Sequence, residues 1–101
     1  MKVVFTAHAR DDIEQRFAYT VDHFGTAVAQ RIFGRIDSFI HHTLARFPLT
    51  GRRHPNRDIL ESWVPRTPFF VIYSVDQSTD TLTVLAVFHH GQDRSSFEPV
   101  S

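Results

Sequence analysis

Cysteine is absent from this chain of 101 residues, which excludes disulfides and every zinc site built on thiolates. Long apolar runs are absent as well. No stretch reaches the roughly 18 residues that a membrane-crossing helix needs. The opening MKVVFTAHARDD has one lysine and turns acidic too early for a secretory signal, so a cytoplasmic protein with no membrane partner is expected. HExxH, the Walker and dinucleotide glycine fingerprints and a GxSxG elbow are all missing. Net charge is missing too, with 11 Lys and Arg against 11 Asp and Glu.

What remains is an ordinary globular composition, 42% hydrophobic and 22% charged, with 10 Phe and 1 Trp as bulky core material. The length suits one domain over 1–101. The zero net charge hides a segregation. Residues 46–66 carry Arg46, Arg52, Arg53, Arg57 and Arg66 against Asp58 and Glu61, whereas residues 67–101 carry only Arg94 against four acids. A basic middle has two readings, an anionic partner or a solvated arginine-rich loop.

KVVFTA (2–7) reads as a short strand. In HARDDIEQRFAYTVDHFG, Ile13, Phe17, Val21 and Phe24 share one helical face, and Asp11, Asp12 and Glu14 fall in the expected first turn, where the helix dipole favours negative charge. Gly25 suits the end of this helix and Thr26 the cap of the next. A second helix over about 27–46 has Val28, Ile32, Ile36, Phe39, Ile40, Thr43 and Phe47 as its inner stripe. Gly34 within it costs about 1 kcal/mol against alanine and would permit close helix approach. Pro48 stops the helix.

PLTGRRHPN (48–56) reads as a loop. RDILESWV (57–64) alternates, with Ile59, Glu61 and Trp63 on one face and Leu60, Ser62 and Val64 on the other. The turn at 65–68 leads to the apolar strand FFVIYSV (69–75), the polar turn DQSTD and the strand TLTVLAVFHH (81–90). Two consecutive helices must cover one face of an antiparallel sheet. The fold class is therefore α+β, two-layer, β-α-α-β-β-β, with an N-terminal helical hairpin on a mostly antiparallel four-stranded sheet.

The chemistry-bearing residues are seven histidines and the arginines. His41 and His42 are neighbours on a helix, so their side chains diverge by about 100°. His89 and His90 are neighbours on a strand, so they are expected on opposite faces. Neither pair converges, and no metal site or cofactor is expected. Transesterification of RNA needs a base, an acid and a cation for the phosphate. His89 or His90 with Arg57, Arg66 or Arg94 could supply them. The competing reading is structural: His89 packs on the helices or caps its strand, and Arg57 pairs with an acid.

VVFTAHARDDIEQ, HFG, FPLTGR, RDILES, PFFVIYSVD and TLTVLAVFHHGQD stand in this order over residues 2 to about 95. The ordered set resembles the ParE branch of the RelE/ParE superfamily of type II toxin–antitoxin toxins, also called plasmid-stabilisation proteins. The resemblance implies a toxin neutralised by a cognate antitoxin in a hetero-oligomer. The antitoxin's C-terminal part would wrap the toxin and place apolar anchors on the helical hairpin and sheet, with Ile13, Phe17, Phe33 and Trp63 as the expected contacts.

RelE-type relatives are ribosome-dependent mRNA endonucleases with basic residues on the sheet strands and a C-terminal arginine and tyrosine. ParE-type relatives are described as DNA gyrase inhibitors with no known catalytic residues. Here Glu61, Trp63 and Phe70 align where the nucleases are basic, and Phe97 is the aromatic nearest to the missing tyrosine. An acid and two aromatics do not stabilise developing phosphorane charge. The resemblance therefore implies a gyrase-binding toxin, with Arg57, Arg66, His89, Asp93 and Arg94 as recognition residues. His89 and Asp93 match the family's strand-end His-x-x-x-Asp pattern, and Asp93 is expected to fix a turn. The alternative is a nuclease using His89 or His90 with Arg57 or Arg66, the one case in which nucleic acid is contacted directly. His90 falls near the nuclease arginine.

Overall fold

The computed structural model describes residues 1–55 and 58–91. Its strands and α-helices follow in the order β1 (Lys2–Phe5), α1 (Ala7–Phe24), α2 (Thr26–Ser38), β2 (Arg52–Arg53), β3 (Leu60–Trp63), β4 (Phe69–Asp76) and β5 (Thr81–His89). The helices pack on a five-stranded sheet of order β1-β5-β4-β3-β2. This is the expected two-layer α+β arrangement with one strand more than the sequence pattern shows.

Thr6 starts α1. Its hydroxyl accepts the Ala9 N–H at 3.1 Å and reaches the Leu85 carbonyl at 3.2 Å, so one side chain caps the helix and ties it to β5. Because the helix begins at Ala7, Asp11, Asp12 and Glu14 lie one turn further in than expected, and the first turn carries no acid. Asp12 has a different task. Its carboxylate accepts the Val87 amide at 3.0 Å, on the stretch of β5 beyond its pairing with β1. Gly25, at φ 90°, joins the helices alone, accepting the Ala29 N–H and donating to Val21. Thr26 is the first residue inside α2 rather than its cap.

The second helix departs from plain α geometry. Phe39–Leu44 is a π-helical turn, closed by Ala45 N–H to the Ile40 carbonyl at 3.0 Å. The wider turn keeps Ile36, Ile40 and Leu44 in line under the sheet. Thr43 and Phe47, expected on the inner stripe, are instead exposed, Phe47 at 55%. Gly34 is exposed also, and a Cβ there would meet nothing within 4 Å, so it serves no close approach of the two helices.

Parallel pairing joins β1 to β5, with Lys2 opposite Thr81 and Phe5 opposite Val84. The other pairs are antiparallel. The short β2 lies in the stretch that reads as loop, where Arg52 faces Glu61. A bulge between Ile72 and Tyr73 leaves Leu85 without an opposite residue. On one face Leu60, Val71, Leu82 and Val84 pack under the helices with Ile36 and Ile40. The other face carries a small cluster of Ile59, Ile72 and Ala86 flanked by Leu85 and Phe88, and no helix covers it among the described residues.

Tyr73, fully buried, anchors the connection that follows the second helix. Its hydroxyl donates to the Pro48 carbonyl at 2.8 Å and accepts the Gly51 N–H at 3.1 Å. Burial pushes its pKa up, although the Gly51 hydrogen bond opposes this. Gly51 is needed for steric reasons, because an added Cβ would collide with the Tyr73 hydroxyl.

Candidate functional site

The end of β5 gathers a set of polar and aromatic groups. His89 is paired with Phe69 across the ladder, and their rings meet edge to face at 5.5 Å. It lines a small cavity with Arg16, Tyr19, Phe24 and Ile32 of the helical hairpin and Pro68. Its Nδ1 accepts the Gly91 N–H at 3.1 Å. Burial first, then the neighbouring His90 and Arg16, hold the His89 pKa below its usual 6.5.

The two histidines do not diverge as expected, although His89 meets the helix side of the sheet and His90 the Trp63 side. Their rings stack at 4.7 Å with 27° between planes. The reason is local: β5 ends at His89, and His90 is already in the turn, where the two-residue alternation no longer applies. His90 stays attached to the neighbouring chain through its N–H to the Pro68 carbonyl at 2.8 Å, and its ring lies 6.2 Å from Trp63. The stacked pair thus connects the helix side of the sheet to its open face. Among the described residues no group of three or more His, Cys, Asp or Glu converges as a metal site would require.

The open face of the sheet follows from register. Trp63 pairs with Phe70, and Phe70 with Phe88, across β3, β4 and β5. The Trp63 and Phe70 rings meet nearly perpendicular at 4.6 Å, and Trp63 is 48% exposed. Glu61 lies one step along, with the Arg52 guanidinium 3.7 Å from its carboxylate. The middle of this face is therefore aromatic and acidic, and Arg52 beside it is engaged by that acid.

Arg66 stands in the turn between β3 and β4 at φ 62°, exposed, and lines a groove with α2. This groove shares no lining residue with the helical-hairpin cavity that holds His89, so the two expected recognition residues line separate cavities. Arg57, Asp93 and Arg94 lie outside the described residues. Of the expected antitoxin contacts, Phe17 and Phe33 touch edge to face at 5.5 Å within the hairpin, and Ile13 and Phe33 pack against the core under the sheet. Trp63 is on the opposite layer, so the four do not share one groove.

Sequence reasoning missed Arg16, Arg31, Arg35 and Phe88. Arg31 and Arg35 line the same groove as Arg66. Their spacing of four, one position off the apolar pair Ile32 and Ile36, was a readable signal for an outward helix face.

With this geometry in place, the comparisons with known proteins are informative. The sequence pattern of the ParE toxin of the type II toxin–antitoxin system parDE matches residues 3–94. No curated protein sequence matches the chain significantly. Among solved structures, a chain of the chromosomal ParDE toxin–antitoxin system from P. aeruginosa superposes with a TM-score of 0.68 at 16% identity, covering 88% of this chain and 95% of that one. A chain of the RelBE2 toxin–antitoxin complex from Mycobacterium tuberculosis gives a TM-score of 0.64 at 23% identity, covering 87% and 95%. At such identities the superpositions establish the fold, and the sequence match over nearly the whole length establishes the family: the chain belongs to the ParE toxins of type II toxin–antitoxin systems.

Proposed function

We propose that this ParE-family toxin acts by binding and blocking DNA gyrase rather than by cutting nucleic acid, and that a cognate antitoxin neutralises it in a cytoplasmic hetero-oligomer. One observation carries the choice between binding and cleavage. The open sheet face presents Trp63, Phe70 and Phe88 beside Glu61, whose carboxylate takes up the nearby Arg52. A ribonuclease needs preorganised cations where phosphorane charge develops. Aromatic rings half open to solvent suit the buried anchors of a protein–protein interface.

The antitoxin is proposed to contact Ile13, Phe17 and Phe33 on the hairpin and Trp63 on the sheet. Because these lie on two layers, a single partner must pass round an edge of the domain to reach them all, which suits an extended, wrapping segment. Target recognition is assigned to Arg57, Arg66, His89, Asp93 and Arg94.

The stacked His89–His90 pair favours a second reading, ribosome-dependent mRNA cleavage. A histidine with a lowered pKa is a competent base near neutral pH. The test is to add purified protein to a gyrase supercoiling reaction and to translating ribosomes. Lost supercoiling with intact mRNA is the expected result. Codon-positioned mRNA cuts that vanish in His90→Ala would refute the binding mechanism.

A further inference from the structure

The groove between α2 and the β3–β4 turn has features that the fold itself does not require. Arg31 and Arg35 project from α2 on one side, and Arg66 from the turn on the other. Phe39 and Pro65 supply an apolar floor, backed by the fully buried Val64. The Arg35 guanidinium donates to the Arg66 carbonyl at 3.1 Å, which fixes its position across the groove. None of these three arginines has a carboxylate partner among the described residues; the arginine ion pairs there belong to Arg52 and Arg53.

Gly34 is the second, independent sign. It lies within α2 on the groove wall between the two arginines, in the worst position for a glycine on helix propensity. Its missing Cβ is not demanded by packing, because nothing of this chain lies within 4 Å of where it would be. A glycine at such a place leaves the helix surface open for another backbone to lie close.

We infer that the groove formed by Arg31, Gly34, Arg35 and Arg66 is a docking site for an extended acidic segment of a partner protein, with carboxylates on the arginines and an apolar side chain over Phe39 and Pro65. Guanidiniums that have no carboxylate partner among the described residues select an anionic occupant and hold carboxylates in charge-assisted hydrogen bonds. The apolar floor speaks for a protein segment over a duplex, whose bases face inward, and titration with RNA tests the single-strand case. The site is separate from the His89 corner and the open sheet face. It rests on the reading that this toxin works by binding proteins, and adds the chemistry of one such partner.

The test uses the full ¹⁵N-labelled chain titrated with a short synthetic peptide in which glutamates flank leucines. Parallel titrations use the same peptide with lysines for glutamates, single-stranded RNA and duplex DNA. Saturable binding of the glutamate peptide is expected, with the Gly34 amide signal moving most. Arg31→Gln with Arg35→Gln should weaken it roughly tenfold, the loss of two charge-assisted contacts, while Arg10→Gln on α1 leaves it unchanged. Gly34→Leu separates docking from folding: it should raise Tm by a few degrees through helix propensity and abolish binding. The proposal is overturned by any of four results: arginine substitution without effect, unimpaired binding to Gly34→Leu, preference for RNA or DNA, or groove signals that move through self-association alone. Gyrase is absent from this experiment, so its outcome and that of the supercoiling assay are independent.

Discussion

Replacing Tyr73 by phenylalanine should destabilise the domain by about 1–3 kcal/mol without leaving a cavity. The ring stays and only the hydroxyl is lost. That hydroxyl serves two backbone groups, the Pro48 carbonyl at 2.8 Å and the Gly51 N–H at 3.1 Å. A polar group left without a partner in the interior costs about 1–3 kcal/mol, and these two sit at the margin, where water recovers part of that cost for one of them. For a domain of this size the change lowers Tm by roughly 5–15 °C. Urea unfolding followed by circular dichroism measures it directly. Gly51→Ala supplies the internal check, because its Cβ collides with the same hydroxyl. Once the hydroxyl has gone, Gly51→Ala should cost less than it does in the natural chain, so the two substitutions couple with a favourable sign. A Tyr73→Phe protein within about 0.5 kcal/mol of the natural one, or strictly additive effects, would show that the anchor does not hold this connection.

The pH dependence of stability should carry two opposed contributions. His89 has a folded pKa below 6.5, so the unfolded chain binds more protons just below that value. Stability is fully present above pH 6.5 and falls as pH drops through the folded pKa. Asp12 is the reverse: burial raises its pKa above 3.8, against the lowering by the Val87 amide, so the folded chain binds more protons just above 3.8 and stability declines as pH rises through that window. Urea midpoints against pH should lose the first slope in His89→Gln and the second in Asp12→Asn, whose amide oxygen still accepts the Val87 N–H. Asp12→Ala should cost about 1–2 kcal/mol at neutral pH by stranding that amide. Gly25→Ala, forced to φ 90°, should cost about 1–3 kcal/mol in the same assay; a neutral result would mean that the helix joint relaxes freely.

Element order and the layer arrangement were legible because periodicity changes cleanly along the chain, from Ile13–Phe17–Val21 to the alternation of RDILESWV. Each departure has its own local cause. Thr43 and Phe47 follow the α period from Ile36, but the π-helical turn moves Leu44 into their place, and no residue type announces that turn. The strand pattern of KVVFTA runs through Thr6, although a threonine three residues before Ala9 is a sound cap. The His89–His90 pair was assigned by strand alternation one residue beyond the strand's end. Arg52–Arg53 pairs as a strand despite poor β-propensity, because register with Leu60 and Glu61 supplies the partner. Glu61 and Trp63 are legible as one face because alternation holds through β3, whereas Phe70 joins them through its pairing with Trp63, which an unbroken apolar strand does not announce.

The parallel pairing of β1 with β5 sets the order of events during synthesis. Among the described residues, 2–5 find their ladder only in residues 81–84, and the Thr6 hydroxyl closes on Leu85 across 79 positions of sequence. Until β5 leaves the ribosome, β1 lacks this neighbour and the helical hairpin has only part of its sheet to rest on. Closing so long a loop comes late, and contacts this distant in sequence slow folding. The nascent toxin therefore passes most of its translation time as an incomplete chain with its hairpin exposed. That interval, absent from proteins whose first strand pairs locally, is when a co-translational partner could engage it before any surface on the finished domain exists.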